Sequence, residues 1–171
     1  MNKIFKIFLI VFFSFFNTHS LLVSAEEKIK IGLLIPITGD NKKIGQQIIK
    51  STRIALKDIN TDNLEIYLKD TNSDPKKTIK SALEFKEMGI KIVIGPVFYK
   101  SLEYLGDVEN IIFLSLTNQT IDLPKNVISS GVNATSQLST IKRFIESNDI
   151  KKAILLTPKL DYEKEIKKAV K

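Results

Sequence analysis

The feature that most constrains this chain is a repeated switch of hydrophobic period. Short β-rich runs alternate with longer stretches whose apolar residues recur every three or four positions. Residues 29–35 (IKIGLLI) form a β-rich run that stops at Pro36. Residues 44–59 follow with Ile44, Ile48, Ala55, Leu56 and Ile59 on helical spacing. Residues 64–70 (LEIYLKD) alternate strictly, with Leu64, Ile66 and Leu68 on one face and Glu65, Tyr67 and Lys69 on the other. Asp74 and Pro75 are an N-cap and a first helical residue, so a helix is expected from there to about Met88, with Gly89 just beyond its end. Residues 90–94 and 111–116 (IIFLSL) are nearly all apolar, as buried parallel strands are. A short helix is expected near 101–107, a short crossing strand at 127–131, and a helix capped by Asn133 or Thr135 running to about Ser147. A strand at 153–157 and a helix at 163–170 complete the reading. Such alternation predicts an α/β fold: an open parallel sheet with helices on both faces and right-handed crossovers.

Composition narrows the chemistry. With 171 residues, 43% of them hydrophobic and 26% charged, the chain can build a packed core. It has no Cys and a single His, His19. Thiol nucleophiles, Cys-ligated metals, disulfides and a lipidated N-terminal Cys are therefore excluded. If His19 is removed with a leader, no Ser-His-Asp triad, Cys-His pair or HExxH zinc site can form, so catalysis, metal binding and cofactor chemistry are not expected.

The first 25 residues have the three parts of an export signal. Lys3 and Lys6 give a basic start, residues 7–16 (IFLIVFFSFF) an apolar run, and Val23-Ser24-Ala25 a cleavage pattern. Cleavage after Ala25 is expected. The competing reading is an uncleaved anchor, but the run is about half the ~20 residues a spanning helix needs. Removing the two lysines takes the formal net charge from +7 to +5. The remaining cations are nearly all Lys and lie beside Glu and Asp on helix faces, which reads as a solvated surface and not as a nucleic-acid site.

Four segments carry a family resemblance. Residues 31–45 (IGLLIPITGDNKKIG), 68–83 (LKDTNSDPKKTIKSAL), 92–101 (IVIGPVFYKS) and 113–117 (FLSLT) resemble stretches of the type I periplasmic solute-binding proteins, the branched-chain amino-acid and amide receptors of ABC importers. The resemblance covers about residues 28–170. It implies the periplasmic binding protein type I lobe, a Rossmann-like open sheet. The implied divisions are a signal peptide at 1–25, a first α/β lobe at 26–126, and at 127–171 the crossover and start of an incomplete second lobe.

In open parallel sheets ligands sit beyond the carboxyl ends of the strands, where helix N-termini offer unpaired N–H groups. Three loops here fit that position: Thr38-Gly39-Asp40, residues 97–101 and residues 115–118. By resemblance, Ser101 or Tyr99 and Thr117 match positions that hold a ligand's carboxylate and ammonium. Tyr99 or Phe98 would wall its apolar part, with Thr38 and Gly39 approaching from the first loop and Ser115 from the last. The competing reading makes Thr38, Ser101 and Thr117 caps of helices or turns. Asp70 and Asp74 are read as structural.

The sequence also departs from that family. Its loop after the third strand reads Phe98-Tyr99-Lys100-Ser101 where the family is rich in Ser, and Tyr162-Glu163 replaces the familiar Tyr-Gly. The penicillin-binding protein activators, which share the fold, are a second resemblance. Residues 95–98 (GPVF), 115–118 (SLTN) and 155–158 (LLTP) look slightly more like that group, although its well-known members are lipidated on a Cys that is absent here.

Weaker patterns are set aside. Gly39 to Gln46 lacks the Lys-Ser/Thr of a phosphate loop, Ser139-Thr140-Ile141-Lys142 has no partner motif, and the sequons at Asn118 and Asn133 matter only in a glycosylating host. The expected function is extracytoplasmic solute binding for an ABC importer, with an amino acid or similar small carboxylate held between two lobes of a monomer. The partners are then the importer's membrane subunits. The alternative is a regulator that contacts a peptidoglycan synthase. Enzymatic activity is not expected in either case.

Overall fold

A computed structural model describes residues 28–156 and 163–170. The signal and its cleavage site lie outside those residues. Five strands form one sheet: β1 (Ile29–Ile35), β2 (Leu64–Asp70), β3 (Ile92–Ile94), β4 (Ile112–Ser115) and β5 (Val127–Ser129). Their order is β2-β1-β3-β4-β5 and every pairing is parallel. Helix α1 (Lys42–Ile59) joins β1 to β2, and α2 (Pro75–Glu87) joins β2 to β3. These two connections run across the sheet in opposite directions, so right-handed crossing puts α1 and α2 on opposite faces of the sheet.

The register explains where the core sits. Tyr67, Gly32, Val93, Phe113 and Val127 are successive partners across the five strands, so their Cα–Cβ directions share one face. That face carries the main core, where Phe85 and Ala82 of α2 meet Leu34, Val93 and Phe113. A Cβ on Gly32 would lie 2.8 and 2.9 Å from two Phe85 ring carbons. The Phe85 ring therefore fills the place that a side chain on β1 would take. On the α1 side, Ile92, Ile112 and Ile128 remain exposed.

Capping follows the sequence closely. The Asp74 carboxylate accepts the Lys77 N–H at 2.7 Å with Pro75 at the first helical position. Gly89, beyond the end of α2, has φ of +73°. Helix α3 (Ala134–Ser147) is capped by Asn133, whose Oδ1 accepts the Ser136 N–H at 2.9 Å, so Asn133 and not Thr135 holds that position.

Three expectations change. The short helix near 101–107 is a pair of 3-10 turns, Tyr99–Leu102 and Leu105–Asp107. The run at 127–131 does not cross away from the sheet; Val127–Ser129 pairs with β4 as its fifth strand. The strand expected at 153–157 is irregular over residues 151–156, and Thr157 lies outside the described residues. Ile154 and Leu156 are each 89% exposed there. No strand among the described residues lies beside that run, and an apolar run without a ladder partner has nothing to satisfy its backbone or bury its side chains. Helix α4 (Glu163–Val170) forms as expected and packs on α3.

Candidate functional site

The strand order reverses direction between β1 and β3, and the crevice of a doubly wound sheet opens beyond the carboxyl ends at such a point. The loop after β1 is held there by β2. Asp70 Oδ1 accepts the backbone N–H groups of Ile37 (2.7 Å), Asn72 (2.9 Å) and Thr38 (3.2 Å), while Oδ2 accepts the Thr38 hydroxyl at 2.5 Å. Partial burial pushes the Asp70 carboxyl up, but the bonds from the Thr38 hydroxyl and the three amides outweigh it and bring the pKa to about 2. Asp70 is thus the brace of this loop.

That brace defines what the first loop can offer. Thr38 is exposed, but both its N–H and its hydroxyl proton go to Asp70. Only the lone pairs of its oxygen are left for a ligand. Gly39 has φ of +78°, and a Cβ there would come within 2.1 Å of Asn72 Oδ1. Any other residue would be strained at that φ and would displace the Asn72 side chain. Asn41 Nδ2 adds a bond to Ser73 Oγ at 3.1 Å.

The loops after β3 and β4 are joined in the same manner. Gly95, at φ of +107°, donates its N–H to Leu114 O at 2.8 Å. The buried Ser115 hydroxyl donates to Pro96 O at 2.8 Å and accepts the Thr117 N–H at 3.3 Å. Thr117 is buried, its Oγ1 accepts the Gln119 N–H at 3.3 Å, and its carbonyl accepts the Ser129 hydroxyl at 2.7 Å. Ser115 and Thr117 therefore belong with the third loop, while Thr38 and Gly39 belong with β2.

Ser101 and Tyr99 stand apart from both groups. Tyr99 lines a groove of about 430 Å³ with Pro75, Leu102, Glu103, Asp122 and Pro124. Ser101, in the same 3-10 turn, is buried, and its hydroxyl has no hydrogen-bond partner among the described residues. Gln119 Oε1 is also buried without one. Among the described residues no group of three His, Cys, Asp or Glu side chains could hold a metal ion.

Three residues that sequence reasoning missed meet at this end of the molecule. Glu165 of α4 accepts the N–H groups of Thr120 (2.5 Å) and Ile121 (2.6 Å) and the Thr120 hydroxyl (2.7 Å). The partners are 44 and 45 residues apart in sequence, so no local motif announces them.

A family model described as periplasmic binding protein matches residues 28–171. A Leu/Ile/Val-binding protein homolog of Brucella abortus is 37% identical over an alignment of 78 residues that covers 42% of this chain and 21% of that protein. The C-domain of LpoA from Haemophilus influenzae, described as a regulator of PBP1A, superposes with a TM-score of 0.67 at 19% identity, covering 82% of this chain and 44% of that one. A leucine-binding protein, LivK, from Thermotoga maritima superposes at 0.56 and 20% identity, covering 70% of this chain and 37% of its own. The chain spans about a fifth of the Brucella protein and less than half of either solved chain.

Proposed function

The chain belongs to the periplasmic binding protein family, and on that premise we propose that it is the solute-binding component of an ABC importer, holding an amino acid or similar small carboxylate between two lobes. The family works outside the cytoplasm, and no helix among the described residues is long and apolar enough to cross a membrane. In this reading residues 26–126 carry the first lobe. Residues 127–171 carry the crossover, which opens with β5 still bonded to the first sheet, and the beginning of a second lobe. Binding is the whole activity, with no catalytic step.

The observation that carries the reading is the Ser101 hydroxyl. It is buried in the same 3-10 turn as Tyr99, with no partner among the described residues. An unmade buried hydrogen bond costs about 1–3 kcal/mol, and a polar ligand group would relieve it. In this assignment Ser101 and Thr117 bind the ligand's polar end, Tyr99 walls its apolar part, Gly39 admits it past the first loop, and Thr38 and Ser115 shape the loops. Calorimetric titration of Leu, Ile, Val and a wider amino-acid panel is the test. Saturable heat with a raised melting temperature supports the reading, and silence across the panel rejects it.

The likeness to the LpoA C-domain supports a second reading. Here the protein acts by surface contact on a peptidoglycan synthase. Co-purification of such a synthase, together with silence in the titration, is its expected signature.

A further inference from the structure

This end of the molecule already holds a carboxylate, and it is the chain's own. Glu165 is 2% exposed. Its Oε1 accepts the Thr120 N–H at 2.5 Å and the Ile121 N–H at 2.6 Å, and its Oε2 accepts the Thr120 hydroxyl at 2.7 Å. Two successive amides and a hydroxyl converge so that both oxygens of one carboxylate are satisfied. Charge-assisted bonds of this kind are short and roughly twice as strong as neutral ones. The ion pairs found among the described residues lie elsewhere, so neutral donors hold this charge.

The donors lie three and four residues beyond Thr117, in the loop that follows β4. The acceptor comes from α4, a helix whose other packing is against α3. The contact is therefore neither a cap of α4 nor a turn of the loop. We propose that Thr120 and Ile121 form a carboxylate-binding site and that Glu165 is its built-in occupant, an intramolecular ligand that holds α4 against this loop. A tethered carboxylate acts at an effective concentration of about millimolar or more, so a free carboxylate competes poorly for the site in the intact chain. Without Glu165 the three donors lose their acceptor, and the site becomes open to a small carboxylate from solution.

The test uses the full chain and Glu165→Ala, melted in sodium acetate and in sodium chloride at equal ionic strength. Glu165→Ala is expected to melt about 5 °C below the wild type in chloride. Acetate should restore several degrees to the variant and leave the wild type unmoved. Equal acetate effects on both proteins, no effect on either, or a variant that melts with the wild type would each overturn the proposal. Glu165→Gln keeps the side-chain size and covers the case in which Glu165→Ala does not fold. Amide exchange at Thr120 and Ile121 should be about tenfold or more faster in Glu165→Gln, whose amide is a weaker acceptor. Unchanged exchange would show that Glu165 does not occupy the site. The acetate readout does not depend on any solute, so its failure leaves the amino-acid titration of the wild type to be judged on its own.

Discussion

Asp70 holds Thr38 by two bonds at once, the Thr38 hydroxyl at 2.5 Å to Oδ2 and the Thr38 amide at 3.2 Å to Oδ1. The pair spans 32 residues and fixes the first loop to the end of the neighbouring strand. All these bonds run to the ionised carboxylate, so they make stability depend on pH.

The Asp70 carboxyl falls from its ordinary 3.8 to about 2 in the folded protein. Below about pH 4 the unfolded chain takes up a proton that the folded chain still refuses. The contribution is therefore complete above the unfolded value and is lost as pH falls towards 2. With solvent screening of this half-exposed group it amounts to about 1–2 kcal/mol at neutral pH. Asp70→Asn should be less stable than wild type by about that amount at pH 7, and the gap should close between pH 4 and 2. Denaturant unfolding across that range checks it, and a constant gap would mean that the charge of Asp70 is not what braces the loop.

Ser115 and Ser101 should answer oppositely to replacement by Ala. Ser115→Ala removes a buried hydroxyl and strands the Thr117 N–H, while Pro96 O keeps the Leu116 N–H, so a loss of about 1–3 kcal/mol is expected. Ser101→Ala removes a buried group that has no partner, so the melting temperature should hold or rise. In the proposed function it should also weaken amino-acid binding about tenfold. A Ser101→Ala protein with lower stability and unchanged binding would place Ser101 among the structural residues.

Much of the fold was legible because local chemistry and tertiary demand agree. The alternation in Leu64–Asp70, the Asp74-Pro75 start of α2 and the glycine at 89 each specify their geometry within a few residues. The misreadings arise where a distant partner decides. Residues 153–157 are as apolar as a strand, but no strand lies beside them among the described residues. Ser101 and Ser115 are both loop serines in sequence, yet only Ser115 finds its acceptor, on a residue 19 positions away. Glu165 carries no signal of its role, because nothing near it in sequence indicates Thr120.

The Asp74 cap separates helix stability from the site. Its carboxylate bonds the Lys77 N–H and touches none of the proposed ligand contacts. Asp74→Ala should cost about 1 kcal/mol, and Asp74→Ser should recover most of it. Solute affinity, measured well below the melting temperature, should not change. A large loss of affinity in Asp74→Ala would mean that the Asp74 carboxylate itself, next to the Pro75 edge of the groove, contacts the ligand.

Gly32 and Phe85 form the tightest test of the core. A methyl on Gly32 would sit 2.8 Å from the Phe85 ring and 2.9 Å from Val93 Cγ2, closer than carbon atoms pack. Replacing a strand glycine by Ala ordinarily gains about 0.5–1 kcal/mol in backbone entropy. Overpacking a full core costs about 1–3 kcal/mol, so the clash wins and Gly32→Ala should destabilise. Phe85→Leu withdraws the ring edge from that spot. In the Phe85→Leu background Gly32→Ala should therefore cost less, with about 1 kcal/mol or more of coupling between the two changes. Chemical denaturation of the four proteins gives the cycle directly. Additive effects would show that Phe85 does not fill the gap left by Gly32.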